Sequence, residues 1–527
     1  MTGSPLPETF ADEAYRPRLH FSAPDTWIND PNGLVYADGL YHLFYQNNPY
    51  GTDHANMSWG HAVSTDLHHW EHRPLAILCD NDEQIFSGSV VLDETNSSGF
   101  GDPGTAPLVA IYTSDYADTS PHQGIQAQSL AYSNDGGQTW TKYSHNPVLS
   151  RDSPNFRDPK VFRYKSGSGD YWVMIAVEAA ERKAVLYRSE DLKHWTLLSE
   201  FQPSRTVGKI WECPDLFPLQ VDGDPADTKW VLILSLEREE GEGGSAGVYI
   251  IGDFDGVTFT PQTKDLNVAG EATPVFGWLD HGRDYYAAVS FSNTPGDRRI
   301  MIGWMNNWDY ARSLPTSPWR GSMALPREIS LHTDNGRMIL RQQVVDGLEP
   351  AGPPVALGRQ DITHGVHALT QNVQELRADC NTEPCLIQAT LAPGSSQEFG
   401  LILRQGQDEG TWVGYDIQRE QLIVDRTASG RAGFSPLFPS RETAPVKLAG
   451  DRLRLQIYLD AASIEVFAQN GQATVTEQIF PSPSSTALSL YSIDGTAQLI
   501  GLTITPLKET LTSQTGDRPT KEESPVG

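Results

Sequence analysis

The sequence predicts an all-β protein, a five-bladed β-propeller followed by a C-terminal β-sandwich. Three observations lead there. Helical periodicity is scarce across the 527 residues, and short alternating or apolar runs recur instead: LYHLFYQ (40–46), YWVMIAV (171–177), WVLILSL (230–236) and DYYAAVSF (284–291). Gly, Asp, Asn and Pro clusters separate them, the texture of many short strands joined by turns. One pattern also repeats. STDLHHW ends at Trp70, SNDGGQTW at Trp140, SEDLKHW at Trp195 and, more weakly, GDFDGVTF at Phe259. Each copy places a Ser or Gly, an Asp turn and then an aromatic that can plug the gap between neighbouring units. A unit returning at roughly 60 residues suggests one four-stranded blade per copy, so about 330 residues hold about five blades. The third observation is a change of texture after WRGSMALPREISL (319–331). Strands such as EFGLILRQ (398–405), TWVGYDIQ (411–418), RLRLQIYLD (452–460) and SIEVFAQ (463–469), with the hairpin signal QNGQ, read as a sandwich.

The elements follow in chain order. Residues 1–16 form an N-terminal extension and 17–332 the propeller. A polar, Gly- and Pro-containing connection covers 333–357, and the sandwich covers 358–506. Residues 507–527 have no apolar face to bury and are expected to be disordered. SNDGGQTW also fits the Asp-box of sialidases, another propeller group, but the blades carry acids where a carboxylate sugar would need arginines.

Composition narrows the function. With 67 acidic against 39 basic residues the net charge is −28, a surface that repels nucleic acid and anionic lipid and suits a neutral ligand. The 13 Trp offer faces for sugar stacking, although most are expected in β cores. Four cysteines cannot scaffold so long a chain. Cys380 and Cys385 in CNTEPC are close enough to bridge across a turn, whereas Cys79 and Cys213 read as buried thiols. No apolar run reaches the ~18 residues of a membrane span. The N-terminus lacks the basic-then-apolar pattern of a signal peptide, so the chain as written reads as cytoplasmic; a mature secreted chain with an added Met would look the same. The His-rich stretch HAVSTDLHHWEH (61–72) completes no zinc set, and no Gly-rich phosphate loop is present, so neither metal nor cofactor is expected.

Chemistry gathers at three acids. In TWINDPNGLVY (26–36), Asp30 lies where an apolar strand meets Pro31-Asn32-Gly33, which locally reads as a strand ending in a turn. Asp158 in NFRDPKVF and Glu212 in WECPDLF occupy the same setting, beside Pro and at the edge of an apolar strand, in successive repeat units. Inner strands of a propeller converge on one channel, so acids remote in sequence can meet there. Paired carboxylates fit hydrolysis of a glycosidic bond.

With those residues in view, the sequence resembles glycoside hydrolase family 32, the β-fructofuranosidases: invertases, exo-inulinases, levanases and related fructosyltransferases. The motifs are WINDPNG (27–33), FSGS (86–89), RDPKVF (157–162), WECPDLF (211–217), IGWMNNWDY (302–310), PTSPWRGSMALPRE (315–328) and SIEVF (463–467). The resemblance implies the same propeller plus sandwich and an enzyme that cleaves terminal β-D-fructofuranosides with retention, by hydrolysis or by transfer to a sugar. Its substrate would be a small sugar, oligosaccharide or polysaccharide, with no nucleic-acid or membrane partner.

By the same resemblance Asp30 is the nucleophile, Asp158 the transition-state stabiliser and Glu212 the general acid/base. Asp30 must be ionised, so amide donors and a cation are expected to hold its pKa down; Glu212 must start protonated, so burial is expected to raise its own. Arg157 is expected to keep Asp158 charged, as a structural ion pair, a sugar ligand or both. Asn29, Gln46, Phe86 and Ser87 match positions lining the site for terminal fructose. Asp215 would bond a sugar hydroxyl or tune the acid, and Trp308 would be a pocket wall or core packing. One position departs from the family: GTDHANMSWGH (51–61) carries His54 where many members have Trp. A non-catalytic sugar binder on the same scaffold is the rival reading, but a binder has no need of a nucleophile, a stabiliser and an acid together.

Overall fold

The computed structural model describes residues 13–510 apart from 166, 168, 205, 240–242, 265–272 and 370–383. The expected Cys380–Cys385 bridge therefore lies outside the described residues, as do most of the N-terminal extension and residues 511–527 of the tail.

The chain is all-β, with 3-10 turns as the described helical elements. Five antiparallel four-strand meanders follow one another. The first comprises Trp27–Ala37, Leu40–Asn48, Ser58–Ser64 and Glu71–Ile77. The next three begin with Glu83–Leu92, Phe156–Tyr164 and Ile210–Val221, and the fifth runs Tyr286–Ser290, Ile300–Trp304, Arg327–Asp334 and Arg337–Val344. The last two meanders are joined by a single parallel residue pair, Val221 with Leu331. The opening strand of each meander contacts the opening strands before and after it, and the fifth contacts the first. That cyclic order is a propeller ring, closed where Tyr36 and Ile28 donate backbone hydrogen bonds to Ser292 and Arg320.

The repeat seen in the sequence forms the turn between the third and fourth strands of blades one to four. Ser64, Ser133 and Ser189 each donate a hydroxyl hydrogen bond to the Asp two residues on, at 3.0, 2.7 and 3.1 Å. In the weak fourth copy Asp255 accepts from the amides of Val257 and Thr258. These turns are structural, and the aromatics that follow pack into the cores beneath them.

A second regularity was not legible in the sequence. Each innermost strand carries a bulge at the same level of the ring, between Ile28 and Pro31, Phe86 and Gly88, Arg157 and Lys160, Glu212 and Asp215, and Tyr286 and Val289. A bulge interrupts the ladder and re-aims the side chains within it. Proline, which has no N–H to give, is tolerated there. That is why Asp30, Asp158 and Cys213 precede Pro31, Pro159 and Pro214. The expected turn at Pro31-Asn32-Gly33 is thus a bulge, and the strand runs on to Ala37. Gly33 is required just beyond it: its φ is +56°, and a Cβ would lie 2.7 Å from Phe44 and Val90.

The boundaries shift in three places. Arg337–Val344 is the outer strand of the fifth blade, so the connection is shorter than 333–357. Tyr15 packs edge-on against Phe480 at 5.2 Å, so the end of the N-terminal extension is anchored. Beyond residue 506, Leu507 is buried and Thr510 donates its amide to the Arg18 carbonyl.

The sandwich packs a seven-stranded sheet centred on Cys385–Ala392 and Leu453–Leu459 against a six-stranded sheet centred on Glu398–Gln405 and Thr411–Asp416. Their inner faces form one apolar core. Buried charges join the two domains. Arg327, at the start of a propeller strand, reaches Asp280 at 2.9 Å, and Glu465 and Thr476 of the sandwich. His20 bridges Asp460 and Glu465 at 2.7 and 2.9 Å. The Glu of SIEVF is therefore a domain clamp. Arg327→Met strands Asp280 and Glu465 in a buried site and is expected to cost about 3–5 kcal/mol, read as a lowered thermal unfolding midpoint. An unchanged midpoint would show that the clamp adds nothing.

Candidate active site

The bulges bring three carboxylates to one end of the ring channel. They border a pocket of about 390 Å³ whose lining includes Asn29, Asp30, Gln46, Phe86, Ser87, Arg157, Asp158, Glu212 and Trp308. Asp30 accepts a hydrogen bond from the Ser87 hydroxyl at 2.7 Å and another from the Asn29 amide at 3.1 Å. Asn29 is itself fixed by the Trp27 indole N–H at 2.8 Å. Asp158 holds φ at +63°, a left-handed conformation that costs a β-carbon residue about 1–2 kcal/mol and turns its side chain into the channel. The Thr113 hydroxyl accepts its amide, and its carboxylate accepts the Cys213 amide at 2.9 Å. The Cys213 sulfur lies 3.5 Å from Asp30 and 3.7 Å from Asp158, so the two aspartates are within the sum of those distances. Glu212 sits next to that cysteine. Arg157 donates two hydrogen bonds to it, through Nε at 3.1 Å and Nη2 at 3.0 Å, and the Tyr286 hydroxyl donates to its other oxygen.

Electrostatics departs from the sequence expectation in two ways. Among the described residues no cation is a leading influence on Asp30. Burial raises its pKa, Glu212 adds to the rise, and the Ser87 and Asn29 bonds only partly oppose it, leaving a value of about 6. Arg157 gives its hydrogen bonds to Glu212 and acts on Asp158 through charge alone. Burial, then the Glu212 charge, push Asp158 up to about 7 although Arg157 pulls the other way. A nucleophile with a pKa near 6 is protonated in acid, so kcat/KM is expected to fall below about pH 6, with a slope that approaches tenfold per pH unit. A flat pH–rate profile from 6 to 4 would contradict that.

The three remaining wall residues and Asp215 resolve as follows. Gln46 donates to the Ile85 carbonyl at 3.0 Å and Phe86 accepts the Trp59 indole through its backbone, so both have fixed positions on the wall. Trp308 is wall and packing at once: it stacks on Trp27 with ring centroids 5.9 Å apart while lining the pocket. Asp215 is the correction. It is fully buried, accepts the amide and hydroxyl of Ser290 at 2.7 Å each, and pairs with Lys160 at 3.3 Å. Glu212 and Asp215 oppose Ser235 and Ile233 on the neighbouring strand, so Asp215 points the same way but two ladder positions deeper, below the pocket.

Sequence reasoning missed Tyr286, Gln126, Glu237 and Arg312, which line the same pocket. Tyr286 sits in DYYAAVSF, indistinguishable from a core strand until the fifth bulge is seen. Cys213 was placed correctly as a buried thiol, but not as the group that both aspartates share.

The model of the "Glycosyl hydrolases family 32 N-terminal domain" matches residues 20–342 and that of the "Glycosyl hydrolases family 32 C terminal" matches 357–506. The chain is 43% identical to a levanase of Bacillus subtilis over 507 residues, covering 95% of this chain and 72% of that one. It is 40% identical to an extracellular exo-inulinase of Aspergillus niger, covering 92% and 93%. The crystal structure of an exo-inulinase from Aspergillus awamori superposes with a TM-score of 0.85 at 37% identity, over 94% of this chain and 99% of that one. A β-fructofuranosidase from Schwanniomyces occidentalis complexed with fructosyl-erythritol gives 0.81 at 27%, over 94% and 99%.

Proposed function

The chain belongs to glycosyl hydrolase family 32, and from that premise we propose that it is a retaining exo-β-fructosidase acting on terminal β-D-fructofuranosides of sucrose and fructans. The observation that carries the reading is the sharing of one small pocket by Asp30, Asp158 and Glu212, each on a different blade. A pocket of about 390 Å³ takes the end of a sugar chain rather than the interior of a polymer, which favours exo action.

In the first step an Asp30 oxygen attacks C2 of the fructosyl unit while Glu212 gives its proton to the departing glycosidic oxygen. Positive charge grows on C2 and the ring oxygen, and Asp158 faces it. One Asp158 oxygen is tied to the Cys213 amide, so the carboxylate does not reorganise as charge develops. Arg157 and Tyr286 fix the Glu212 carboxyl toward the leaving group. In the second step Glu212 takes a proton from water, which attacks C2 and releases Asp30; a sugar hydroxyl in place of water gives transfructosylation.

A product profile from sucrose, inulin and levan, each alone, tests the reading. Fructose as the first product of every substrate turned over is the expected result. Oligosaccharides released first would mean endo action, and no release from any of the three would overturn the proposal.

A further inference from the structure

His54 stands at the mouth of the pocket, where nothing in the mechanism uses it. The deep lining residues Asn29, Gln46, Ser87, Asp158 and Tyr286 are buried, whereas His54 and Trp308 are half-buried and Arg312 is exposed. An exo enzyme places the reacting fructose at the blind end, so its leaving group lies against these mouth residues. The imidazole is clasped edge-on by Trp308 at 5.2 Å and 88° and by Trp27 at 5.9 Å and 78°, with Phe86 at 6.4 Å. Such ring contacts hold the plane of the imidazole without consuming a hydrogen-bonding nitrogen. Arg312 completes the rim, its guanidinium 5.8 Å from the Trp308 ring. Burial, and then the Arg312 charge, lower the His54 pKa to about 4, so above pH 5 the ring is neutral; one nitrogen is hydrogen-bonded to its own backbone and the other is left for a ligand.

Resting on the fructosidase reading, we infer that His54 hydrogen-bonds a hydroxyl of the sugar on the leaving-group side, making the pocket mouth a polar subsite for sugar leaving groups and acceptors. An apolar ring there would supply packing alone. The orientation of the imidazole is fixed in advance, so the bond costs little ordering on binding.

His54→Phe keeps the aromatic packing and deletes both nitrogens. Its kcat/KM should be compared with that of the parent on sucrose and on an aryl β-D-fructofuranoside whose leaving group has no hydroxyl. The loss on sucrose is expected to exceed the loss on the aryl substrate by about tenfold, mostly in KM, as one well-placed hydrogen bond supplies. His54→Gln, which restores a donor and an acceptor, should recover part of the difference. Equal losses on both substrates would mean that His54 only packs, and no loss on either would mean that it touches no substrate; each result overturns the inference. A parent enzyme that releases fructose from neither substrate would instead overturn the function on which it rests.

Discussion

Asp30→Ala is expected to lower kcat on sucrose by about 10⁴-fold, with KM changed only severalfold. The covalent step needs an oxygen at this position, and the two neighbouring acids are already committed. Asp158 has one oxygen tied to the Cys213 amide, and Glu212 is held by Arg157 and Tyr286. The fold survives the change because Asp30 is a cost to stability. An ordinary Asp ionises near 3.8, whereas Asp30 ionises near 6 in the folded chain. Folding therefore takes up a proton between those values, the stability attached to this group falls as pH rises from about 4 to 6, and the full cost is present above 6. Asp30→Asn, inactive in the same way, should accordingly unfold at pH 7 about 1–2 °C above the parent, with the difference closing toward pH 4. An Asp30→Ala enzyme retaining half the parent kcat would sink the nucleophile assignment.

Glu212→Gln is expected to have the second largest effect, and its signature is the leaving group. On sucrose, whose departing oxygen must be protonated, kcat should fall about 10²–10⁴-fold. On an aryl fructoside, which departs without help, the first step should be nearly spared and the fructosyl-enzyme should accumulate, because the base that activates water is also missing. A burst of aryl alcohol followed by a slow steady state, rescued by azide or another nucleophile that needs no base, is the result to seek. Equal loss on both substrates would mean that Glu212 acts through charge or positioning and transfers no proton. The two variants are not additive, since both residues serve the same transition state.

Much of the architecture was legible in one dimension. The Asp turns ending at Trp70, Trp140 and Trp195 are local structures: a Ser hydroxyl and an Asp carboxylate satisfy amides within a few residues, so sequence alone encodes them. Period-2 runs such as YWVMIAV announce buried strands for the same reason. The three acids were found through their Pro neighbours, and the bulges explain the signal, since a break in the ladder both admits proline and turns the preceding side chain. The turn at Pro31-Asn32-Gly33 was misjudged on the same evidence of composition, because a bulge and a turn recruit the same residues.

The sequence by itself determined the fold class and the family and pointed to the three acids, because each is written in local periodicity or in contiguous motifs. Only the tertiary structure decided which side chains share a space. It placed Cys213 against two aspartates, gave Arg157 to Glu212, buried Asp215 below the pocket, added Tyr286 to the wall and set His54 at the mouth. It also set the proton affinities, raising Asp30 and Asp158 where a low value was expected for the nucleophile. The physical reason is that desolvation and charge–charge coupling depend on distances through space between residues remote in the chain, such as Asp30 and Cys213, 183 positions apart, and no local pattern carries that information.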